Sequence, residues 1–160
     1  MVPGIPNPVG EAALGNHRRR RDGGNAEEPE ALADETIRVL NDPAFAAAFA
    51  PGSRAEIGLV ADLDGLGRIT GRIDRLAVSK DEVLIVDFKT NRPPPAREED
   101  LARIYRTQMA LYRAAAAKIF PGKRIACALV WTEGPSLMPL SDALLDAEMA
   151  RIVAARKKVG

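Results

Sequence analysis

The decapeptide DEVLIVDFKT, residues 81–90, decides how this chain is read. Val83 to Val86 form a continuous, β-branched-rich apolar run of the kind a strand covered on both faces carries. The run then stops on Asp87 and Lys89, which lie two residues apart and so share one face of a strand, while Phe88 points to the other. Opposite charges at the end of a buried strand are either an ordinary, weak ion pair on a solvated face or two parts of a site.

The preceding stretch favours a site. LGRITGRIDRLAV, residues 66–78, reads as a strand joined to 82–90 by a turn near Lys80 and Asp81. If Ser79 closes against Glu82, paired positions sum to a constant and Asp74 faces Asp87. Directly opposed residues on one face have Cβ atoms about 4.5–5.5 Å apart, a distance at which like charges repel. A cation between the carboxylates removes the conflict, and magnesium suits it, since it takes oxygen ligands and often only one or two carboxylates. Asp74, Asp87 and Lys89 around a divalent metal could activate water and neutralise charge on a phosphate. Glu56, on the strand AEIGLVAD (55–62), is a possible third carboxylate. A two-residue turn at Asp64 and Gly65 sets it against Ile73, whereas a three-residue turn sets it against Asp74, and the spacing alone does not choose.

Further along, residues from about Arg97 to Phe120 contain neither Gly nor Pro and end at Pro121–Gly122, which predicts one long helix. On it, Gln108 and Tyr112 share a face, with Leu101 and Tyr105 continuing the stripe. Such a stripe suits a core, but near a metal an amide and a phenol also offer hydrogen bonds to phosphate or sugar. RIACALVW (124–131) reads as a fourth, central strand, and Ser141 as the N-cap of a last helix running to about Lys157. Upstream, Leu32, Thr36, Val39 and Leu40 stand at helical spacing, with a short second helix after Pro43. Residues 1–29, with Pro3, Pro6, Pro8 and the run Arg18 to Arg21, offer little to bury and are expected to be disordered. One domain over 30–160 follows, an α/β sandwich with a mixed central sheet of three antiparallel strands, a helix and a further strand.

Composition narrows the function. Twenty-three Lys and Arg against 22 Asp and Glu leave a net charge of +1, so any polyanion site is a local patch. Aromatic residues are 4% of the chain, too few for a single-strand stacking platform. The single cysteine, Cys127, reads as a buried thiol and excludes a disulfide framework, a Cys-rich zinc site and a four-cysteine iron–sulfur cluster. No apolar run is long enough to span a bilayer and no signal peptide opens the chain, so a cytoplasmic location is expected. No G-x-x-x-x-G-K-[ST] motif occurs, hence no ATPase site.

Taken together, GRIDRL (71–76), VDFKT (86–90) and QMALY (108–112) resemble the motifs of the PD-(D/E)XK nuclease superfamily. The resemblance is greatest to the nuclease domain at the C-terminal end of AddA and RecB type helicase–nucleases, and extends to VLNDPAFAAAFAPGSRAEIGL (39–59) and ALVWTEGPSLMPL (128–140). It implies a restriction-endonuclease-like fold and a magnesium-dependent DNA nuclease of double-strand break repair, with a helicase or AddB-like subunit as partner. It also implies that Asp74 and Asp87 bind the metal, that Lys89 assists the attacking water, that Gln108 and Tyr112 complete the site, and that an acidic residue belongs at Glu56, which favours the three-residue turn. Arg72, Arg75 and Arg92 are candidate DNA contacts. Family members normally carry an upstream helix bearing a histidine near the metal. Here the only histidine, His17, lies in LGNHRRRRDGG without the apolar helix that should follow. A module that keeps the fold and binds DNA beside a helicase, without turnover, is the alternative expectation.

Overall fold

The structure, a computed structural model, describes residues 34, 37–38, 41–132 and 136–158. The expected N-terminal segment, His17, and Leu32, Thr36, Val39 and Leu40 lie outside them. The described elements are α1 (Pro43–Ala48), β1 (Arg54–Leu63), β2 (Gly67–Val78), β3 (Glu82–Lys89), a 3₁₀ turn (Glu98–Asp100), α2 (Arg103–Ile119), β4 (Arg124–Trp131), β5 (Ser136–Leu140) and α3 (Asp142–Lys157).

The strands form one sheet in the order β1-β2-β3-β4-β5. Every neighbouring pair is antiparallel except β3 and β4, which run parallel and are connected through α2. This is the mixed sheet flanked by helices that the motif resemblance implies. Between the sheet and helices α2 and α3 lies the larger core, built on Ile73, Val83, Ile85, Met109, Leu129, Trp131 and Leu145. On the other face Leu84, Val86, Ala128 and Val130 pack against Ala48 of α1. Residues of β3 and β4 are therefore covered on both sides, the physical reason for their unbroken apolar runs. Along β1 only alternate residues are buried, and its outward positions, among them Val60, are exposed.

Both hairpin turns have the geometry that one of the sequence registers required. Ser79 N–H donates to the Glu82 carbonyl at 2.8 Å, and β2 and β3 pair in step from Val78↔Val83 to Arg75↔Val86. Between β1 and β2 the turn holds three residues, Leu63 pairing with Gly67. Gly65 and Gly67 take φ of 75° and 83°, a left-handed backbone that glycine adopts without steric cost.

Two expectations needed correction. The helix does not start near Arg97: residues 98–100 make a single 3₁₀ turn, and Leu101 and Ala102 are extended, with ψ of 135° and 136°. Local side-chain bonds compete with helix there. Arg97 pairs with Asp100 at 3.0 Å, and the Glu98 carboxylate accepts from the backbone and hydroxyl of Ser141 at 2.7 and 2.6 Å, tying the turn to the start of α3. Leu101, extended, is buried in the main core. The second correction is β5, a fifth strand that the reading of four lacked. Pro139 hides it, since proline has no ladder donor; at the sheet edge that loss is tolerated. Ser141 does cap α3, its hydroxyl accepting from Leu144 N–H at 3.1 Å, and Cys127 is a buried free thiol, pushed up to about 12 by burial.

Candidate active site

The site forms where β2 and β3 part company. Their ladder ends at Arg75↔Val86, and the next position brings Asp74 opposite Asp87. Instead of a backbone bond, the Asp74 carboxylate accepts from Phe88 N–H at 2.8 Å, so a side chain takes over the ladder. The β1–β2 ladder skips the same level: Ala55↔Arg75 and Ile57↔Ile73 pair, while Glu56 opposite Asp74 does not. Glu56 has φ of 51°, a left-handed conformation costly for a residue with a Cβ. Ile73 and Leu76, three residues apart, both reach the main core, so β2 turns over at this level.

Asp87 is buried, on the same face of β3 as Val83 and Ile85. Burial first of all, and then the neighbouring charge and hydrogen bond of Asp74, push its carboxyl above the ordinary value of 3.8, against the pull of Lys89. The two carboxyls are thus close enough to share a hydrogen bond and to repel when both are ionised. Lys89, with 11% of its side chain exposed, makes an ion pair with Asp87. Its ammonium also donates to Gln108 Oε1 at 3.0 Å and lies 4.2 Å from the centre of the Tyr105 ring. Gln108 Nε2 donates to the Tyr112 phenol at 3.4 Å. That phenol accepts from Arg72 N–H at 3.2 Å and donates to the Arg72 carbonyl at 3.1 Å. α2 therefore works as a buttress that fixes the lysine from one side and β2 from the other.

Five of the residues singled out in the sequence, Asp74, Asp87, Lys89, Gln108 and Tyr112, are brought together. Glu56 is exposed at the ladder break, and among the described residues no three Asp, Glu, His or Cys side chains converge as a metal cluster. Arg72 and Arg92 are exposed. Arg75 is committed elsewhere: its guanidinium donates to the Ala48 carbonyl at 2.8 Å and to Ser53 Oγ at 3.0 Å, and stacks on the Phe49 ring at 4.6 Å. It pins α1 to the opposite face of the sheet, because strand alternation turns Arg75 away from Asp74.

Two contributors escaped the sequence. A Cβ on Gly71 would fall 2.5 Å from Tyr112 Cε1 and 2.6 Å from its hydroxyl, so glycine is what lets the phenol reach the β2 backbone. Asn91 accepts from both Tyr105 and Trp131. Its only sequence signal is its position two residues beyond Lys89.

Similarity to known proteins agrees with this architecture. The crystal structure of a candidate exonuclease from Eubacterium rectale superposes with a TM-score of 0.54 at 12% identity, over 79% of this chain and 50% of that one. The crystal structure of SSO0001 aligns with a TM-score of 0.37 at 13% identity, over 80% of this chain and 61% of that one. The chain thus spans between half and two thirds of the length of these structures. No curated protein matches it. Its sequence does match one family description over residues 10–153, a span that includes every residue of the carboxylate–lysine site, and on that match the chain belongs to the PD-(D/E)XK nuclease superfamily.

Proposed function

We propose that the chain is a magnesium-dependent deoxyribonuclease hydrolysing phosphodiester bonds, exonuclease-like in action, and the nuclease part of a double-strand break repair helicase–nuclease. The observation that carries this reading is the adjacency of Asp74 and Asp87 beside the lysine ammonium. The pair suits a divalent cation, because burial and the neighbouring Asp74 push the Asp87 carboxyl up, a conflict that added positive charge relieves, and magnesium needs few protein ligands. Asp74 and Asp87 would hold it, with Glu56 the candidate third ligand. When bound, the ion supplies charge neutralisation at phosphate oxygens and a water of lowered pKa.

The chain's own residues do the rest. Lys89 holds the attacking water by hydrogen bond and offsets the negative charge that develops on it. Gln108 aims Lys89, and Tyr112 aims Gln108. Arg72 and Arg92, on the exposed surface, are the proposed phosphate contacts. Exonuclease-like action draws on the likeness to the candidate exonuclease. The repair role, a helicase or AddB-like partner and a cytoplasmic setting draw on the motif resemblance. No described helix is long and apolar enough to cross a membrane.

A second reading, a catalytically impaired DNA-binding or interaction module that works only beside a helicase, is favoured by the exposure of Glu56 at the ladder break and by the lack of a third converging carboxylate among the described residues. The test is to incubate the purified protein with linear single- and double-stranded DNA, with magnesium or with chelator, beside Asp87→Ala. Cleavage is expected only with magnesium and the intact aspartate. Cleavage that survives Asp87→Ala eliminates the site, and no cleavage by the intact chain puts the second reading ahead.

A further inference from the structure

Lys89 is held by more than the residues that complete the expected site. Its ammonium has three N–H donors on a flexible four-carbon stem, a group easily misplaced unless its surroundings fix it. Asp87 and Gln108 take two of its sides. The third is closed by the face of Tyr105, 4.2 Å away. Tyr105 is in turn anchored, its hydroxyl donating to Asn91 Oδ1 at 3.2 Å. The same oxygen accepts from Trp131 Nε1 at 3.3 Å, and Trp131 is fully buried. Trp131 is also the residue paired with Lys89 across β3 and β4. The contacts close a ring: Lys89 backbone to Trp131 through the ladder, Trp131 to Asn91, Asn91 to Tyr105, and Tyr105 back to the Lys89 ammonium.

We propose that Tyr105 and Asn91 are positioning residues for Lys89, transmitting the rigidity of the buried Trp131 to the ammonium. This rests on the nuclease reading for its catalytic consequence. Its structural content stands apart from that reading. The physical need is clear: once Asp87 shares its carboxylate with a cation, its grip on Lys89 weakens. The ring face and Gln108 then carry the placement, in surroundings dry enough for a cation–π contact to count.

Three measurements test the proposal, two of them independent of cleavage. In protein labelled with ¹³C-lysine, the Lys89 Hε resonances, assigned through Lys89→Arg, are expected upfield of the exposed lysines because of the Tyr105 ring current. The displacement vanishes in Tyr105→Leu, and shrinks to a similar extent in Tyr105→Phe, which keeps the ring but loses its anchor, and in Asn91→Ala. The single tryptophan makes Trp131 fluorescence a direct report of the Asn91 bond, and its emission shifts in Asn91→Ala. On linear DNA, Tyr105→Leu lowers kcat by about tenfold or more with KM little changed, and Tyr105→Phe recovers part of the loss, to the level of Asn91→Ala. A Lys89 resonance at the exposed-lysine position in the unsubstituted protein, or one unmoved by Tyr105→Leu, overturns the proposal. So does a rise in KM at unchanged kcat, which makes Tyr105 a DNA contact. Absence of cleavage by the unsubstituted protein, with the lysine shift present, refutes the nuclease reading while supporting the placement.

Discussion

Asp87 and Glu148 are both buried carboxylates paired with a cation, yet their surroundings push them in opposite directions. Glu148 on α3 receives Arg151 through both oxygens, at 2.6 to 3.2 Å, and the Thr107 hydroxyl at 2.5 Å. Arg151 first, with help from Thr107, holds its carboxyl below the ordinary value of 4.5 despite burial. Asp87 has one ammonium for a partner and a second carboxylate for a neighbour, and burial prevails. Glu148 is satisfied and clamps α3 to α2. Asp87 is left with a deficit of positive charge, which is what a site for a cation and a phosphate requires and what a purely structural pair avoids.

The largest expected effect of breaking this contrast falls on activity. Asp87→Asn should lower cleavage by about 10²–10³-fold, as loss of a preorganised electrostatic group does, while Tm at neutral pH changes little, because relief of the desolvated carboxyl offsets the loss of the Lys89 partner. A marked fall in Tm would show that Asp87 is held as comfortably as Glu148. Gly71→Ala attacks the buttress: the added methyl must displace Tyr112, a cost of about 1–3 kcal/mol by urea unfolding. Cleavage should fall with it, since Gln108 and Lys89 lose their reference. Glu148→Gln addresses the other side. A carboxyl whose folded pKa is depressed contributes stability that is fully present above 4.5 and is lost as pH falls through the lower folded value. Thermal melts across that acid range should show the loss in the parent chain, and a flatter profile in Glu148→Gln with cleavage retained at neutral pH. The smallest effect is expected from Arg72→Ala, whose backbone serves Tyr112 while its side chain is exposed: stability unchanged, and KM for DNA raised severalfold at low salt and less at high salt.

Much of this was legible before folding because it depends on spacing that strands enforce. Asp87 and Lys89 had to share a face, and the turn at Lys80 and Asp81 had to bring Asp74 level with Asp87. Gln108 and Tyr112 had to share a helical stripe. The β1–β2 register was ambiguous by one residue, because two- and three-residue turns both suit the Asp64–Gly65 region and the alternating pattern of β1 bends at Glu56. Arg75 looked like a partner of the site and proved an anchor on the opposite face, since strand alternation separates it from Asp74. β5 was hidden by a proline that only an edge position allows.

By itself, then, the sequence determined the order of elements other than β5, the β2–β3 register and the residues that could carry chemistry, because local geometry and periodicity act over a few residues. Tertiary structure decided what those residues meet. Only packing brings Tyr112 onto the backbone of Arg72, forty residues away, and Trp131 onto Asn91, also forty away. Only burial, with Asp74 alongside, pushes the Asp87 carboxyl above its ordinary value despite its lysine partner. Desolvation depends on everything that surrounds a group, and no short window of sequence contains that.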